Sequence, residues 1–148
     1  MLERWRTIIR LRGFPLLLLA ALVAFGTVAG GHGARADGGV EAAAAANAGL
    51  RGCSSNTGKA LYNCVADVLD GMTRRISNAP DTTRALATAA SQLRAAAGKA
   101  EALSAISRCR AVVAGALRQA LAMGQSGAGL SAVAGVLARA AQLIQSKG

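Results

Sequence analysis

The stretch that decides the fold is residues 57–80, TGKALYNCVADVLDGMTRRISNAP. Its apolar residues recur at spacings of three and four, which is the pattern of one face of an α-helix. They are Leu61, Cys64, Val65, Val68, Leu69, Met72 and Ile76. Arg74 and Arg75 suit the C-terminal end of a helix dipole, and Pro80 ends the run. The stretch therefore predicts an amphipathic helix over 57–76 that packs its apolar stripe against other helices.

Further helical segments follow this one. A helix predicted over 82–97 has a thin stripe made mostly of methyl groups. The next, over 99–123, carries Leu103, Ile106, Val113, Leu117 and Leu121 on one side. The run GQSGAG then breaks the chain before a last helix over 130–146. No segment alternates apolar and polar residues, so the prediction is an all-α domain over 56–148. We expect a small, Ala-rich antiparallel bundle of three to four helices.

The N-terminal segment has the three parts of a Sec-type signal peptide in the required order. Four arginines precede an apolar run from Phe14 to Ala29, and Ala34-Arg35-Ala36 matches the small-x-small cleavage pattern. The run of 16 residues is shorter than the ~20 that a membrane-spanning helix needs. We predict cleavage after Ala36 and a periplasmic or secreted bacterial protein. Retention of residues 1–36 as an inner-membrane anchor is the alternative.

Removal of residues 1–36 changes the composition of the chain. The full chain of 148 residues has a net charge of +10 and is 53% hydrophobic. The segment contains five arginines, Glu3, the single His32 and every aromatic residue except Tyr62, so its loss lowers the charge to +6. The remainder is rich in Ala, which favours helix. Residues 37–55 are expected to form a flexible Ala/Gly-rich leader, because a short Ala run is marginal as an isolated helix.

Three glycines fall inside the predicted helices. Gly71, Gly115 and Gly135 should each cost about 1 kcal/mol relative to Ala. Small residues four positions apart, such as Ala111 with Gly115 and Ser131 with Gly135, would let helices approach closely. Close approach is therefore the expected reason for these glycines.

The chain beyond residue 36 keeps three cysteines, Cys53, Cys64 and Cys109. Export would place them in an oxidising compartment, and their odd number predicts one disulfide and one spare thiol. If the helices 57–76 and 99–123 are parallel, Cys64 and Cys109 lie at similar heights, so we predict a bond between them. This bond requires a chain reversal near Gly98. It leaves Cys53 as a free thiol or for an intermolecular bridge. The alternative is that Cys64 and Cys109 are both buried free thiols.

Residues that could carry catalysis are scarce. Without His32 no Ser–His–Asp or Cys–His arrangement forms, and three well-separated cysteines make a poor zinc site. Asp67 and Asp70 could form a carboxylate pair, but Asp70 precedes Arg74 by four residues, which predicts an exposed helix ion pair instead. We expect no catalytic residue, no metal, no cofactor and no enzymatic activity.

A reactive thiol is the remaining catalytic possibility. Arg108 and Arg110 flank Cys109 and could lower its pKa. A thiol oxidoreductase would want a nearby resolving cysteine, however, and a structural disulfide uses Cys109 more simply. Cys109 is therefore interpreted as structural.

The basic residues of the mature chain are spread along every helix, mostly as singles. Without stacking aromatics this pattern predicts no nucleic-acid binding. An unknown protein or an anionic envelope component fits the charge better, and an oligomer could form through the last helix or through Cys53. A membrane is a partner only if the N-terminal segment is retained. We predict a small exported helical protein that acts as a non-catalytic binding or structural module of the cell envelope. The alternative is a cationic envelope-associated protein held by an uncleaved N-terminal helix or by anionic surfaces.

Overall fold

The computed structural model of the protein describes residues 37–148, so the predicted signal segment, residues 1–36, lies outside the described residues. Five α-helices occupy most of this part of the chain. They are α1 (Asp37–Gly52), α2 (Gly58–Thr73), α3 (Pro80–Ala95), α4 (Lys99–Ala122) and α5 (Ala128–Lys147), with a 3-10 turn at Cys53–Ser55. No strand occurs between residues 37 and 148, which confirms the predicted all-α fold for this part of the chain. The expected number of three to four helices is wrong, because α1 is an additional helix.

Each helix packs on the next one in the sequence, and α5 returns to pack on α1. Contacts between helix ends give the directions. Arg75, just after α2, reaches Glu41 near the start of α1, so these two helices are antiparallel. Gly39 and Gly129, near the starts of α1 and α5, lie against each other, so α1 and α5 are parallel. The result is a closed bundle whose interior is lined by all five helices.

Helix α1 corrects the prediction of a flexible leader over residues 37–55. Ala42, Ala43, Ala46 and Leu50 of α1 are buried in the common core. An Ala-rich helix of this length is marginal alone, but packing against α2 and α5 stabilises it. The small side chains of α1 permit this packing because they let the neighbouring helices approach closely. The same Ala run that indicated a leader therefore serves as an interface.

The core holds the predicted stripe of α2. Leu61, Val65, Leu69, Met72 and Ile76 are buried, whereas Cys64 and Val68 are half-buried and packed against the core. Helix α5 contributes its own buried row, as expected for a helix that packs within the bundle. That row is Val133, Val136, Leu137, Ala140 and Ile144.

The outward side of α4 differs from its prediction. Leu117 is only half-buried, and Leu121 is 59% exposed. Ile106 and Val113 of the predicted side are buried, but the other residues that α4 buries are the small Ala102, Ala105, Cys109 and Ala120. The difference arises because α4 packs between α3 and α5, so a row of small residues faces the neighbours.

Three lysines connect the helix ends at one end of the bundle. Lys59, Lys99 and Lys147 each donate a hydrogen bond to a backbone carbonyl at or beyond the C-terminal end of another helical segment. The acceptors are the carbonyls of Ala96, Gln145 and Ser54, respectively. The last carbonyls of a helix have no partner within it and carry partial negative charge, so the ammonium groups stabilise these ends.

The helices approach each other closely at glycines other than the expected Gly115 and Gly135. A Cβ atom built on Gly115 or Gly135 would meet no heavy atom within 4 Å, so the close-approach hypothesis is wrong for both. A Cβ atom on Gly39 would lie 2.8 Å from the Cα of Gly129, and one on Gly49 would lie 2.7 Å from a methyl carbon of Val68. Gly39 and Gly49 of α1 are therefore sites of close helix packing, and a Cβ atom on Gly127, just before α5, would also clash with a methyl carbon of Leu117.

Helix α5 is the one described helix that is long and apolar enough, by length and composition only, to cross a membrane. The core helix of a soluble bundle can have the same length and composition. In the structure α5 buries its row of large apolar side chains against the other helices. We therefore treat α5 as a core helix.

Candidate binding groove

The disulfide differs from the prediction. Cys53 is bonded to Cys64, with their Cα atoms 5.7 Å apart, and Cys109 is a buried free thiol. The predicted Cys64–Cys109 bond is wrong, and Cys53 is not available as a free or intermolecular thiol. The expected chain reversal near Gly98 does occur, because α3 ends at Ala95 and Gly98 is the N-cap of α4. However, α4 packs mainly on α3 and α5, which directs Cys109 away from Cys64.

A groove of about 500 Å³ lies between α3 and α4. Its walls run antiparallel, since Asp81 and Gln119 line it together with Gln92 and Ala105. The small residues Ala85, Ala89, Ala105, Cys109 and Ala116 also line it. Short side chains leave the space open, and the result is a concave, mainly apolar surface along two helices.

Cys109 contributes its thiol to this groove, although the residue is only 3% exposed. Burial raises the pKa of Cys109 to about 11, because desolvation disfavours the thiolate. The possibility that Arg108 and Arg110 lower this pKa is therefore contradicted. A thiol with this pKa stays protonated at neutral pH and is a weak nucleophile. It fills space in the groove as a small apolar side chain.

Two arginines stand at the groove, one on each wall. Arg84 of α3 lies 3.6 Å from the carboxylate of Asp81, in an exposed ion pair that contributes little. Arg108 of α4 has no ion pair within the described residues. Val112 adds an apolar side chain at the rim and is 43% exposed. The groove thus combines a mainly apolar interior with two arginines and one carboxylate, Asp81, at its edges.

Asp67 and Asp70 serve a structural purpose between α2 and α3. Arg94 of α3 donates hydrogen bonds to both carboxylates, at 2.8 and 2.6 Å respectively. The hydrogen bonds to Asp67 and then Asp70 raise the pKa of Arg94 further. The predicted Asp70–Arg74 ion pair does not form, because Arg94 occupies Asp70 instead. The two aspartates are therefore committed to joining α2 and α3.

A smaller cavity of about 140 Å³ lies near the start of α3, and Thr82 and Ser126 are among its lining residues. Thr82 is 1% exposed, and its hydroxyl oxygen has no hydrogen-bond partner among residues 37–148. Its neighbour Thr83 donates to the carbonyls of Ile76 and Ala79. The hydroxyl group of Thr83 therefore has hydrogen-bond partners, whereas the described residues provide none for that of Thr82.

The side chains described between residues 38 and 148 include no group of three or more His, Cys, Asp or Glu that could hold a metal ion. Comparison of the chain with protein-family models, with curated proteins and with solved structures finds no match. The groove between α3 and α4 is consequently the candidate functional site of the described residues.

The sequence contains a signal for this groove that the apolar stripes did not reveal. Ala105, Val112 and Gln119 are spaced by seven residues, and so are Cys109 and Ala116. The second row consists of small side chains and the first mixes Ala, Val and Gln, so neither is visible when only large apolar residues are followed. A second face of α4 is visible once small residues are counted.

Proposed function

We propose that this protein is an exported, non-catalytic helical binding module of the cell envelope that holds an anionic partner in the groove between α3 and α4. The observation that carries the proposal is the groove of about 500 Å³ with its apolar interior and its two rim arginines, Arg84 and Arg108. Binding sites of this size typically combine a mainly apolar lining with a few placed polar groups.

Export is supported by the disulfide and by the N-terminal sequence. The Cys53–Cys64 bond is of the kind that persists in oxidising compartments such as the periplasm. Residues 1–36 carry the pattern of a signal peptide. A periplasmic or secreted location is therefore part of the proposal.

The chemistry of the groove supports a binding role over a catalytic one. Its thiol, Cys109, has a pKa raised to about 11 by burial, which is unsuited to nucleophilic catalysis near neutral pH. The carboxylates of Asp67 and Asp70 both accept hydrogen bonds from Arg94, so they are engaged in structural contacts. The polar groups that line the groove are suited to contact and orientation.

Photocrosslinking in the native host tests the binding role. A benzophenone amino acid replaces Thr88 on the groove wall in one variant and the exposed Arg139 of α5 in a control. We expect a discrete adduct from the Thr88 variant only, and its loss when Arg84→Glu and Arg108→Glu are added. No groove-specific adduct, or adducts equally strong from both positions, would overturn the binding role.

Fractionation and intact mass test export. We expect the protein in the soluble periplasmic pool at low salt, with a mass that corresponds to residues 37–148 and gains two hydrogens on reduction. A membrane pellet that is released only by detergent, with residues 1–36 retained, would contradict this location.

A cationic, envelope-associated protein is the second candidate. The outer part of α4 favours it, since Leu121 and Met123 are each 59% exposed and Arg110 and Arg118 have no ion pair in the described part of the chain. Positive charge beside exposed apolar side chains suits an anionic surface. Release of the cleaved protein from membranes by salt alone would favour this candidate.

A further inference from the structure

We infer that the anionic partner of the α3–α4 groove is an acidic amphipathic α-helix, seated lengthwise between the two helices. This inference rests on the proposed binding function and specifies the shape and chemistry of the partner. It follows from the spacing of the wall residues, from the small side chains of the lining and from the charge of Arg108, which has no ion pair among the described residues.

The wall residues have the spacing of a helix–helix seam. On α4 the groove is lined by Ala105, Val112 and Gln119, seven residues apart. On α3 it is lined by Ala85 and Gln92, which are also seven apart. Residues that repeat every seven positions stay on one face of a helix and so present a continuous face to a neighbour. Both walls thus present a continuous face to the same space.

The size of the groove suits a helix of about three turns. From Asp81 to Gln92 the wall on α3 rises about 16 Å, at roughly 1.5 Å per residue. The short side chains of Ala85, Ala89 and Ala116 let another helix axis come near, since the side chains at a contact set the interaxial distance. Val112 at the rim is 43% exposed and offers its apolar side chain for contact with such a helix.

The charges at the groove favour an acidic partner. Arg84 and Arg108 stand on opposite walls and outnumber the one lining carboxylate, Asp81, which pairs with Arg84, so Arg108 is left without an ion pair among the described residues. A helix with an apolar face in the groove would place its flanking residues beside these guanidinium groups. Glu or Asp at the flanks would therefore be attracted and Lys or Arg repelled. The helix-in-groove mode of recognition combines these features.

A second copy of this chain does not fit as well, because its described carboxylates are already engaged. Glu41 pairs with Arg75, Asp67 and Asp70 pair with Arg94, and Asp81 pairs with Arg84 at the groove itself. Glu101 accepts a hydrogen bond from the backbone of Ala97. A flat lipid surface does not fit the concave groove either. The occupant is therefore assigned to a different protein with a free acidic helix.

The test measures binding of a synthetic peptide to the purified, cleaved protein by fluorescence anisotropy. The probe has Leu at positions i, i+3, i+4 and i+7 over about three turns and Glu on its flanks. One control peptide has the same composition in scrambled order, and another has Lys in place of Glu. We expect saturable binding of the acidic amphipathic peptide, with a gain in helicity by circular dichroism, and weaker binding of both controls.

Matched variants locate the peptide. Gly115→Leu fills the groove where a side chain meets no atom within 4 Å, and Gly135→Leu makes the same change at an equally open site on α5. We expect Gly115→Leu to weaken binding by about tenfold or more and Gly135→Leu to leave it unchanged. The double variant Arg84→Glu/Arg108→Glu should weaken binding similarly. Arg118→Glu/Arg139→Glu, with the same change of net charge, should weaken it far less.

The contrary outcomes are distinct. Equal binding of the scrambled peptide, or equal losses in the two arginine variants, would show diffuse anion attraction and overturn the helix assignment while the proposed binding role stands. Binding to phosphatidylglycerol vesicles but not to the peptide would also overturn the assignment. Absence of binding to every probe overturns it as well, and the crosslinking experiment then decides the binding role separately. Should Gly115→Leu not fold, the two arginine variants still test where the peptide binds.

Discussion

A Cβ atom on Gly39 of α1 would lie 2.8 Å from the Cα of Gly129 in α5, so the backbones of these parallel helices are in direct contact. This relationship explains how a helix made largely of Ala and Gly belongs to the core. A larger residue at position 39 would push α1 away from α5 and expose the buried Ala42 and Ala46.

The first prediction concerns this contact. Gly39→Val should lower the free energy of unfolding by about 1–3 kcal/mol, because overpacking against a backbone cannot relax by rotating a side chain. Gly52→Ala, in the same helix but with open space around it, is the control and should be neutral or slightly stabilising. Urea denaturation followed by circular dichroism measures both. Equal stability of the two variants would contradict the contact.

The second prediction concerns the helical glycines without close neighbours. Gly115→Ala and Gly135→Ala should each stabilise the protein by up to about 1 kcal/mol, since Ala favours helix and meets nothing at these positions. Thermal denaturation should show a higher midpoint for each and an additive effect in the double variant. A loss of stability at Gly135 would mean that α5 has a close neighbour there.

The third prediction separates the cysteines. The Cys53–Cys64 bond closes a loop with a sequence separation of 11, for which the chain-entropy model gives about 3 kcal/mol. Cys53→Ala/Cys64→Ala should therefore destabilise the protein clearly, whereas Cys109→Ala removes only the contacts of a buried thiol. Peptide mapping without reductant should recover Cys53 joined to Cys64. Recovery of Cys64 joined to Cys109 would contradict the structure.

The fourth prediction follows from the pKa of Cys109, which burial raises from 9.0 to about 11. Between these values the folded protein holds a proton that the unfolded chain loses, so the free energy of unfolding falls as pH rises through this window. The loss should be on the order of 2 kcal/mol and absent in Cys109→Ala. Denaturation curves from pH 8 to 11 measure it, with iodoacetamide labelling as a second readout. Rapid labelling of the folded protein at pH 8 would contradict the burial.

The fifth prediction compares two adjacent threonines. Thr82→Val should stabilise the protein by about 1 kcal/mol, because a buried hydroxyl without a partner is replaced by a methyl group. Thr83→Val should destabilise it, since Thr83 donates to the carbonyls of Ile76 and Ala79. Chemical denaturation of both variants under one set of conditions gives the comparison. A stabilising Thr83→Val would show that these hydrogen bonds contribute nothing.

Local sequence patterns were sufficient for α2 and for the breaks that follow it. The large side chains of Leu61, Leu69 and Met72 mark one face of α2 unambiguously, and the break before Lys99 is read from Gly98. The groove and α1 were missed for a common reason. Helix α1 packs mostly through Ala and Gly, and the groove is lined by small residues together with polar ones, so neither gives a strong contrast between a buried and an exposed face.

The sequence by itself determined that the chain is helical, where it reverses at Gly98 and that its thiols number three. Periodicity, chain breakers and composition are properties of neighbouring residues, so they can be read without the fold. Only the tertiary structure decided that Cys53 bonds to Cys64, that α1 completes the bundle and that Cys109 lines a groove. These outcomes depend on which helices become neighbours, and that order is set by the packing of all five helices together.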